Sequence, residues 1–138
     1  MSGSGPWSWL IRSATTAGLV VDAGIHFDLA HTQPPAMSGH LSQASLFYAE
    51  GVLSVLVAMV VFATGARLAF VLALLVAASA LAAVVLYRYI DVGAIGPLPD
   101  MYEPFWYPSK LSTTVAEAIA ILTAAVGILT AHRRHIVH

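Results

Sequence analysis

Three acidic residues and a histidine lie within long apolar stretches of this chain: Asp22, His26, Glu50 and Glu117. A charged side chain in hydrocarbon costs roughly 3 kcal/mol or more unless it is paired, protonated or faces water, so residues of this kind are candidates for a functional site. Asp22 and His26 are separated by one helical turn and share one helix face, an arrangement in which carboxylate and imidazole converge on a metal. The same spacing also allows the two side chains simply to hydrogen-bond each other and fix helix packing.

The chain that holds these residues has the composition of a membrane protein. Of its 138 residues, 59% are hydrophobic and only 9% are charged, which ordinary water-soluble domains do not show. Four segments are long enough to cross about 30 Å of hydrocarbon, at roughly 10–31, 41–64, 67–90 and 111–131. Short breaks between them favour antiparallel neighbours. We therefore expect an all-α fold in which residues 1–138 form a single integral-membrane domain, an antiparallel bundle of four transmembrane helices.

The predicted helices place the four residues at similar depth. With a rise of about 1.5 Å per residue, His26 and Glu117 lie roughly 8 to 9 Å inside the outer boundary, and Asp22 and Glu50 roughly 13 Å. Thr113 shares the stripe of Glu117 on the fourth helix. Three carboxylates cannot all be ionised side by side in a low dielectric without compensation. The candidates for that compensation are bound protons, a metal ion, an imidazolium at His26, and the guanidinium groups of Arg12 and Arg88.

Oxygen and imidazole donors of this kind suit zinc, iron, manganese or copper(II). The chain has no cysteine, which excludes thiolate metal sites, iron–sulfur clusters and disulfides. A net charge of -1, without a dense basic patch in the helical region, gives no indication of nucleic-acid binding. Further residues are expected to support the site from the outer side: Arg88 as charge partner, with Tyr87, His31, His40, Asp100 and Glu103.

The segment between the third and fourth spans is rich in proline and aromatic residues and is expected to be ordered. Prolines restrict its backbone, and its apolar side chains require burial. It is expected either to cap the outer mouth of the bundle, which would bring Asp100 and Glu103 towards the site, or to lie on headgroups or against a partner subunit. Arginines fall at the opposite ends of the helices, at Arg12, Arg67, Arg133 and Arg134. By the positive-inside tendency both termini are cytoplasmic.

Some segments resemble known membrane proteins. The four-helix layout, with Ala49-Glu50-Gly51-Val52 leading the second span and Arg67 opening the third, resembles the DoxX-like class of small bacterial membrane proteins, although the proline-rich loop departs from that pattern. This resemblance implies a bacterial cytoplasmic membrane and a quinone-linked or accessory role, with Glu50 the acidic residue carried over. The segment 96–104 resembles uncharacterised actinobacterial membrane proteins. The Asp22-x3-His26 spacing is similar to a copper-ligand pair in membrane methane and ammonia monooxygenases.

The residues favour a function in which an intramembrane Asp/His/Glu site binds a divalent metal or relays protons. Asp22, His26 and Glu50 are the expected ligands, with Glu117 as a fourth ligand or a proton acceptor. The alternative is an accessory or structural subunit of a larger membrane complex, including one that uses quinone. A small transporter is a third hypothesis, and it would need a homo-oligomer because four helices enclose little volume.

Overall fold

The computed structural model describes residues 5–36 and 38–136, and it describes side chains as far as residue 131. The described residues form four α helices: α1 (Pro6–Ala30), α2 (Gln43–Thr64), α3 (Arg67–Tyr89) and α4 (Pro108–Ile136). The prediction of an all-α chain is confirmed, with α1 and α4 each beginning a few residues earlier than expected. The side chains of Arg133 and Arg134, on which part of the orientation argument depends, lie outside the described residues.

Local chemistry explains where the helices begin and end. Ser42 caps α2, since its side-chain oxygen accepts a hydrogen bond of 3.0 Å from the backbone N–H of Ser45. Gly65 ends α2 in the left-handed region at φ 58°, and its N–H donates to the carbonyl of Val61 at 2.9 Å. Glycine adopts this conformation at little steric cost. The chain therefore reverses within two residues, and α2 and α3 run antiparallel.

The helices pack as a ring in which α1 and α3 each contact both α2 and α4, and α1 touches α3 only slightly. Small residues allow the closest approaches. Gly18 on α1 lies against the backbone of Ala116 and against Ala120 on α4, and Gly127 on α4 lies beneath the ring of Phe70 on α3. The approach at Gly18 brings the polar face of α1 directly against α4.

Polar side chains are buried inside this ring, and apolar ones cover its outside. The most buried polar residues are less than 9% exposed and include Arg12, Thr15, Asp22, His26, Ser54 and Glu117. Large apolar side chains on the outer surface are more than half exposed, among them Leu56, Met59, Leu68, Leu75 and Leu122. A water-soluble protein shows the opposite distribution, so the surface suits a lipid environment.

Three of the described helices are long and apolar enough to cross a membrane, over Gln43–Thr64, Arg67–Tyr89 and Pro108–Ala131. Helix α1 is not among them. It has 25 residues, a length of about 37 Å at 1.5 Å per residue, but it carries Arg12, Asp22 and His26. All three of these residues point into the ring, where they are at most 8% exposed.

Residues 90–107, which we call the cap loop, are tied to one end of the bundle by backbone hydrogen bonds. The N–H of Glu103 donates to the carbonyl of Tyr87 at 2.9 Å, and the N–H of Leu41 donates to the carbonyl of Pro97 at 2.8 Å. Ile95 and Leu98 exchange two further backbone hydrogen bonds, which close a turn within the loop. The cap loop is thus joined both to the end of α3 and to the α1–α2 connection.

Candidate metal centre

Asp22, His26 and Glu117 form a buried cluster where α1 meets α4, which we call the acid–histidine cluster. One potential ligand atom from each residue lies within 4.8 Å of those of the other two. Asp22 and Glu117 are each 1% exposed and His26 is 8% exposed. Three of the four residues singled out in the sequence are therefore brought together, as their common depth predicted.

His26 is fixed in orientation by the turn of helix before it. Its Nδ1 lies 2.9 Å from the backbone carbonyl oxygen of Asp22 and 3.2 Å from Oδ1 of the same residue. A carbonyl oxygen can only accept, so Nδ1 donates to it and Nε2 keeps its lone pair. The ring also packs edge-on against Phe47, with ring centroids 5.4 Å apart. Both contacts restrict rotation of the imidazole.

Thr113 connects the two carboxylates of the cluster. Its hydroxyl donates a hydrogen bond to Oδ1 of Asp22, and its oxygen lies 3.5 Å from Oε2 of Glu117. The sequence placed Thr113 on the stripe of Glu117 but did not mark it as a site residue. The spacing of four residues between Thr113 and Glu117 was the available signal, because positions i and i+4 share one helix face.

The carboxyl groups of Asp22 and Glu117 lie within hydrogen-bonding reach of each other, and each has one oxygen that receives no hydrogen bond from a donor among the described residues. These oxygens are Oδ2 of Asp22 and Oε1 of Glu117, and both are buried. An unsatisfied buried polar atom costs about 1–3 kcal/mol, and more when it is charged. In a tetrahedral centre with bonds of about 2.0–2.2 Å, ligand atoms are about 3.3–3.6 Å apart. The ligand atoms of the cluster, all within 4.8 Å of one another, are near that spacing.

A cavity of about 250 Å³ lies beside the cluster, under the cap loop. His26 and Thr113 line it where it borders the cluster, and Glu50 lines it from α2. Much of the remaining wall is apolar or aromatic, with contributions from Leu29, Leu46, Phe47, Ala80, Ala83, Val84, Tyr87, Met101 and Tyr107. The cap loop therefore forms one side of this partly open cavity, through Met101, Glu103 and Tyr107, and the cavity borders the edge of the cluster.

Glu50 lies in the cavity wall beside the cluster. It is half-buried, and its Oε1 accepts a hydrogen bond of 3.2 Å from Ser54. It is near enough to Asp22 and His26 to interact with both electrostatically, but it is not one of the three residues whose ligand atoms converge. Its role as a metal ligand stays a prediction from the sequence.

Lys110 is the cation in the cavity wall. Its Nζ forms an ion pair of 2.8 Å with Glu103, and it donates to the backbone carbonyls of Glu103 at 3.0 Å and Phe105 at 2.8 Å. An ammonium group has three hydrogens, so these contacts use its full donor capacity. The side chain of Lys110 thereby holds the cap loop onto the start of α4, a role that its position in the sequence did not indicate.

The two arginines considered as charge partners make other contacts. The guanidinium of Arg12 donates to the carbonyl of Phe62 and lies 3.9 Å from the centroid of the Trp9 ring. The guanidinium of Arg88 lies 4.6 Å from the centroid of Tyr89 and 5.7 Å from that of Trp106. These contacts place Arg12 at the α2–α3 turn and Arg88 among aromatic rings at the end of α3.

The remaining residues named from the sequence divide between the cavity and the surface. Tyr87 and Glu103 line the cavity. His31 is exposed, with Nδ1 3.3 Å from the hydroxyl of Tyr48. The Nδ1 of His40 lies 3.2 Å from a backbone carbonyl two residues earlier, and Asp100 is exposed and accepts from the backbone N–H two residues later at 3.1 Å.

Tyr107, in the cavity wall just before α4, is a further titratable group. Burial raises the pKa of its hydroxyl, and the neighbouring carboxylate of Glu103 raises it further, to about 12. The hydroxyl of Tyr107 is therefore neutral throughout the physiological pH range and remains a hydrogen-bond donor.

Comparisons with family models, with curated proteins and with solved structures gave no match. Fold and site therefore define the class by themselves: an all-α protein with three helices able to cross a membrane and an Asp/His/Glu group within metal-binding distance.

Proposed function

We propose that this chain is a small integral membrane protein in which all four helices cross the bilayer. Support for including α1 comes from its orientation, since Arg12, Asp22 and His26 face the interior while Leu10, Val20 and Val21 on its outer face are half exposed or more. Such a helix presents an apolar surface to lipid despite its polar content. Arg12 and Arg67 lie at the end opposite the cap loop, and Arg133 and Arg134 follow near that end of α4 in the sequence, against Arg88 and Lys110 at the cap end. The positive-inside tendency therefore favours that end and both termini in the cytoplasm of a bacterial cell.

The acid–histidine cluster binds a divalent transition metal. The observation that carries this proposal is the close approach of two buried carboxyl groups, Asp22 and Glu117. Oδ2 of Asp22 and Oε1 of Glu117 receive no hydrogen bond from a donor among the described residues. Two carboxylates balance the charge of a divalent ion, which favours its transfer into a low-dielectric interior. His26 supplies an imidazole nitrogen as a third ligand, and the contact of its Nδ1 with the backbone carbonyl of Asp22 orients the ring. The donor set suits zinc, iron, manganese or copper(II).

Proton handling is the second candidate, and the position of Thr113 favours it. A single proton held between Asp22 and Glu117 would also satisfy the two oxygens, and the hydroxyl of Thr113 lies between their carboxylates. Because His26 and Thr113 border the cavity, a proton could pass between the cluster and the cavity. This candidate uses the same residues without an ion.

Metal analysis of the purified protein separates the two candidates. After incubation with zinc, manganese or copper(II), and with iron(II) under anaerobic conditions, followed by dialysis, we expect close to one ion per chain for at least one of these metals. Asp22→Asn and Glu117→Gln should abolish uptake, whereas Asp100→Asn, which alters an exposed carboxylate in the cap loop, should not. A folded wild-type protein that takes up none of these metals would refute metal binding and leave the proton candidate.

Removal of the metal provides a second readout of the same proposal. A ligand present at about 100 times its dissociation constant stabilises the folded state by about 2.7 kcal/mol. A chelator should therefore lower the melting temperature of the metal-loaded wild type and leave that of Glu117→Gln unchanged. Equal shifts in the two proteins would show that the chelator acts elsewhere.

A further inference from the structure

We propose that the cavity beneath the cap loop binds a small organic cation, with the carboxylate of Glu50 as its counter-ion. This site adjoins the metal centre and uses a different carboxylate, because Asp22, His26 and Glu117 are the residues whose ligand atoms converge there. The two sites are electrostatically coupled, since Glu50 interacts with both Asp22 and His26.

The charges in the cavity wall favour a cation. Lys110 is neutralised by Glu103, and all its ammonium hydrogens are taken by that carboxylate and by two backbone carbonyls. It has no donor left for an incoming anion. Glu50, in contrast, forms no ion pair with Lys110, the lysine of the wall; it accepts a hydrogen bond from Ser54 and interacts electrostatically with His26. A positively charged ligand would compensate Glu50 as it loses contact with water.

The shape and chemistry of the wall favour an organic cation over a bare metal ion. Aromatic rings of Phe47 and Tyr87 line the cavity together with aliphatic side chains such as Leu46 and Val84. The ring of Tyr107 already lies near a cation, with Nζ of Lys110 5.1 Å from its centroid. Aromatic faces attract ammonium groups, and apolar side chains bury their alkyl substituents. A hard metal ion such as Ca²⁺ requires six or more oxygen ligands, and this mainly apolar wall is unsuited to supply them.

The volume limits the size of the ligand. About 250 Å³ lies slightly below the range of roughly 300–1,000 Å³ common for ligand pockets. A single ammonium group with one short apolar substituent suits this space. The backbone bonds of the cap loop to Tyr87 and Leu41 hold the cap-loop side of the cavity in place.

A metal in the acid–histidine cluster is compatible with a cation in the cavity. With Asp22 and Glu117 ionised, a divalent ion and neutral His26 leave the cluster without net charge. The negative charge of Glu50 is then not compensated by the cluster, and Glu50 remains available to pair with the organic cation. The metal and the organic cation can bind at the same time because they use different carboxylates.

Benzyltrimethylammonium and its uncharged carbon isostere neopentylbenzene form a matched pair of probes. We expect equilibrium dialysis of radiolabelled benzyltrimethylammonium against the detergent-purified protein to show saturable binding above that of empty micelles. Neopentylbenzene in excess should displace little of it. Glu50→Gln should weaken binding at least tenfold, Glu50→Asp should retain most of it, and Asp100→Asn should bind as the wild type does.

The proposal is overturned by any of three results. These are the absence of saturable binding to the wild type, equal competition by neopentylbenzene, and an affinity of correctly folded Glu50→Gln within twofold of the wild type. Size-exclusion profiles establish that each variant is folded. If Glu50→Gln does not fold, competition by the uncharged probe on the wild type decides the question, because it requires no variant.

Discussion

Thr113 on α4 donates its hydroxyl hydrogen to the carboxylate of Asp22 on α1, and this bond joins two helices that are far apart in the sequence. It lies inside the bundle, where Asp22 is 1% exposed and Thr113 is 3% exposed. Because Glu117 follows one turn later on α4, the same bond fixes the depth at which the two acidic residues meet. The α1–α4 contact is therefore both a packing interface and the frame of the candidate metal centre.

Replacing Thr113 with valine keeps the side-chain shape but removes the donor. We expect Thr113→Val to lower the free energy of unfolding by roughly 1–3 kcal/mol, because a buried carboxylate oxygen loses its hydrogen bond. Metal affinity should also fall, since Asp22 is held less firmly.

Denaturation in detergent measures the loss of stability, and metal titration measures the loss of affinity. Thr114→Val is the matched control, since Thr114 donates to a carbonyl of its own helix, and equal losses for both variants would contradict the assigned role of Thr113.

Gly18 sets the distance between α1 and α4. A methyl group there would lie 2.8 Å from the backbone oxygen of Ala116, which cannot move without shifting α4. We expect Gly18→Ala to destabilise the protein by about 1–3 kcal/mol, in the range of other overpacked sites, and to weaken metal binding by separating the cluster. The measurements are thermal unfolding in detergent and metal content.

Gly24 provides the control for this substitution, since it lies on the same helix with open space around its α-carbon. Gly24→Ala should raise stability by about 0.5–1 kcal/mol, because alanine loses less backbone entropy in a helix. If the two alanine variants had the same stability, the close α1–α4 approach at residue 18 would not be a determinant of the fold.

The titration of Tyr107 tests the environment of the cavity wall. The difference in absorbance near 295 nm between the wild type and Tyr107→Phe should show a midpoint near pH 12, because burial and Glu103 both favour the neutral hydroxyl. Glu103→Gln should lower that midpoint only in part, since burial is the larger cause. An ordinary midpoint near pH 10 would contradict this description of the wall.

The same shift has a consequence for folding stability. An unfolded tyrosine loses its proton near pH 10, while folded Tyr107 keeps its proton to about pH 12. Between these values the folded state binds more protons, so the contribution of Tyr107 to stability is complete below pH 10 and is lost as the pH rises through 12. Denaturation of wild type and Tyr107→Phe across this window measures the difference.

The candidate site could be predicted to the extent that it depends on depth and helix periodicity. Asp22 and His26 are four residues apart, which predicted that they share one face of α1. Counting residues from the helix ends placed Glu117 at a similar depth in the membrane. Helix rotation and side-chain rotamers could not be obtained in this way. Arg88 and Lys110 both lie near the cap end in sequence, yet the structure places Lys110 in the cavity wall and Arg88 over aromatic rings. Which cation meets the cavity depends on loop conformation and not on residue count.

The sequence by itself determined that long apolar segments form helices, that short breaks reverse the chain, and that ionisable residues on those helices share a depth. It could do so because helix rise and side-chain periodicity are local properties. The tertiary structure decided that Asp22, His26 and Glu117 converge, that Thr113 joins them, and that Glu50 lies beside them in a partly open cavity. Those relationships depend on the contact of Gly18 with α4 and on the cap loop held by Lys110, since close packing between distant segments determines which faces meet.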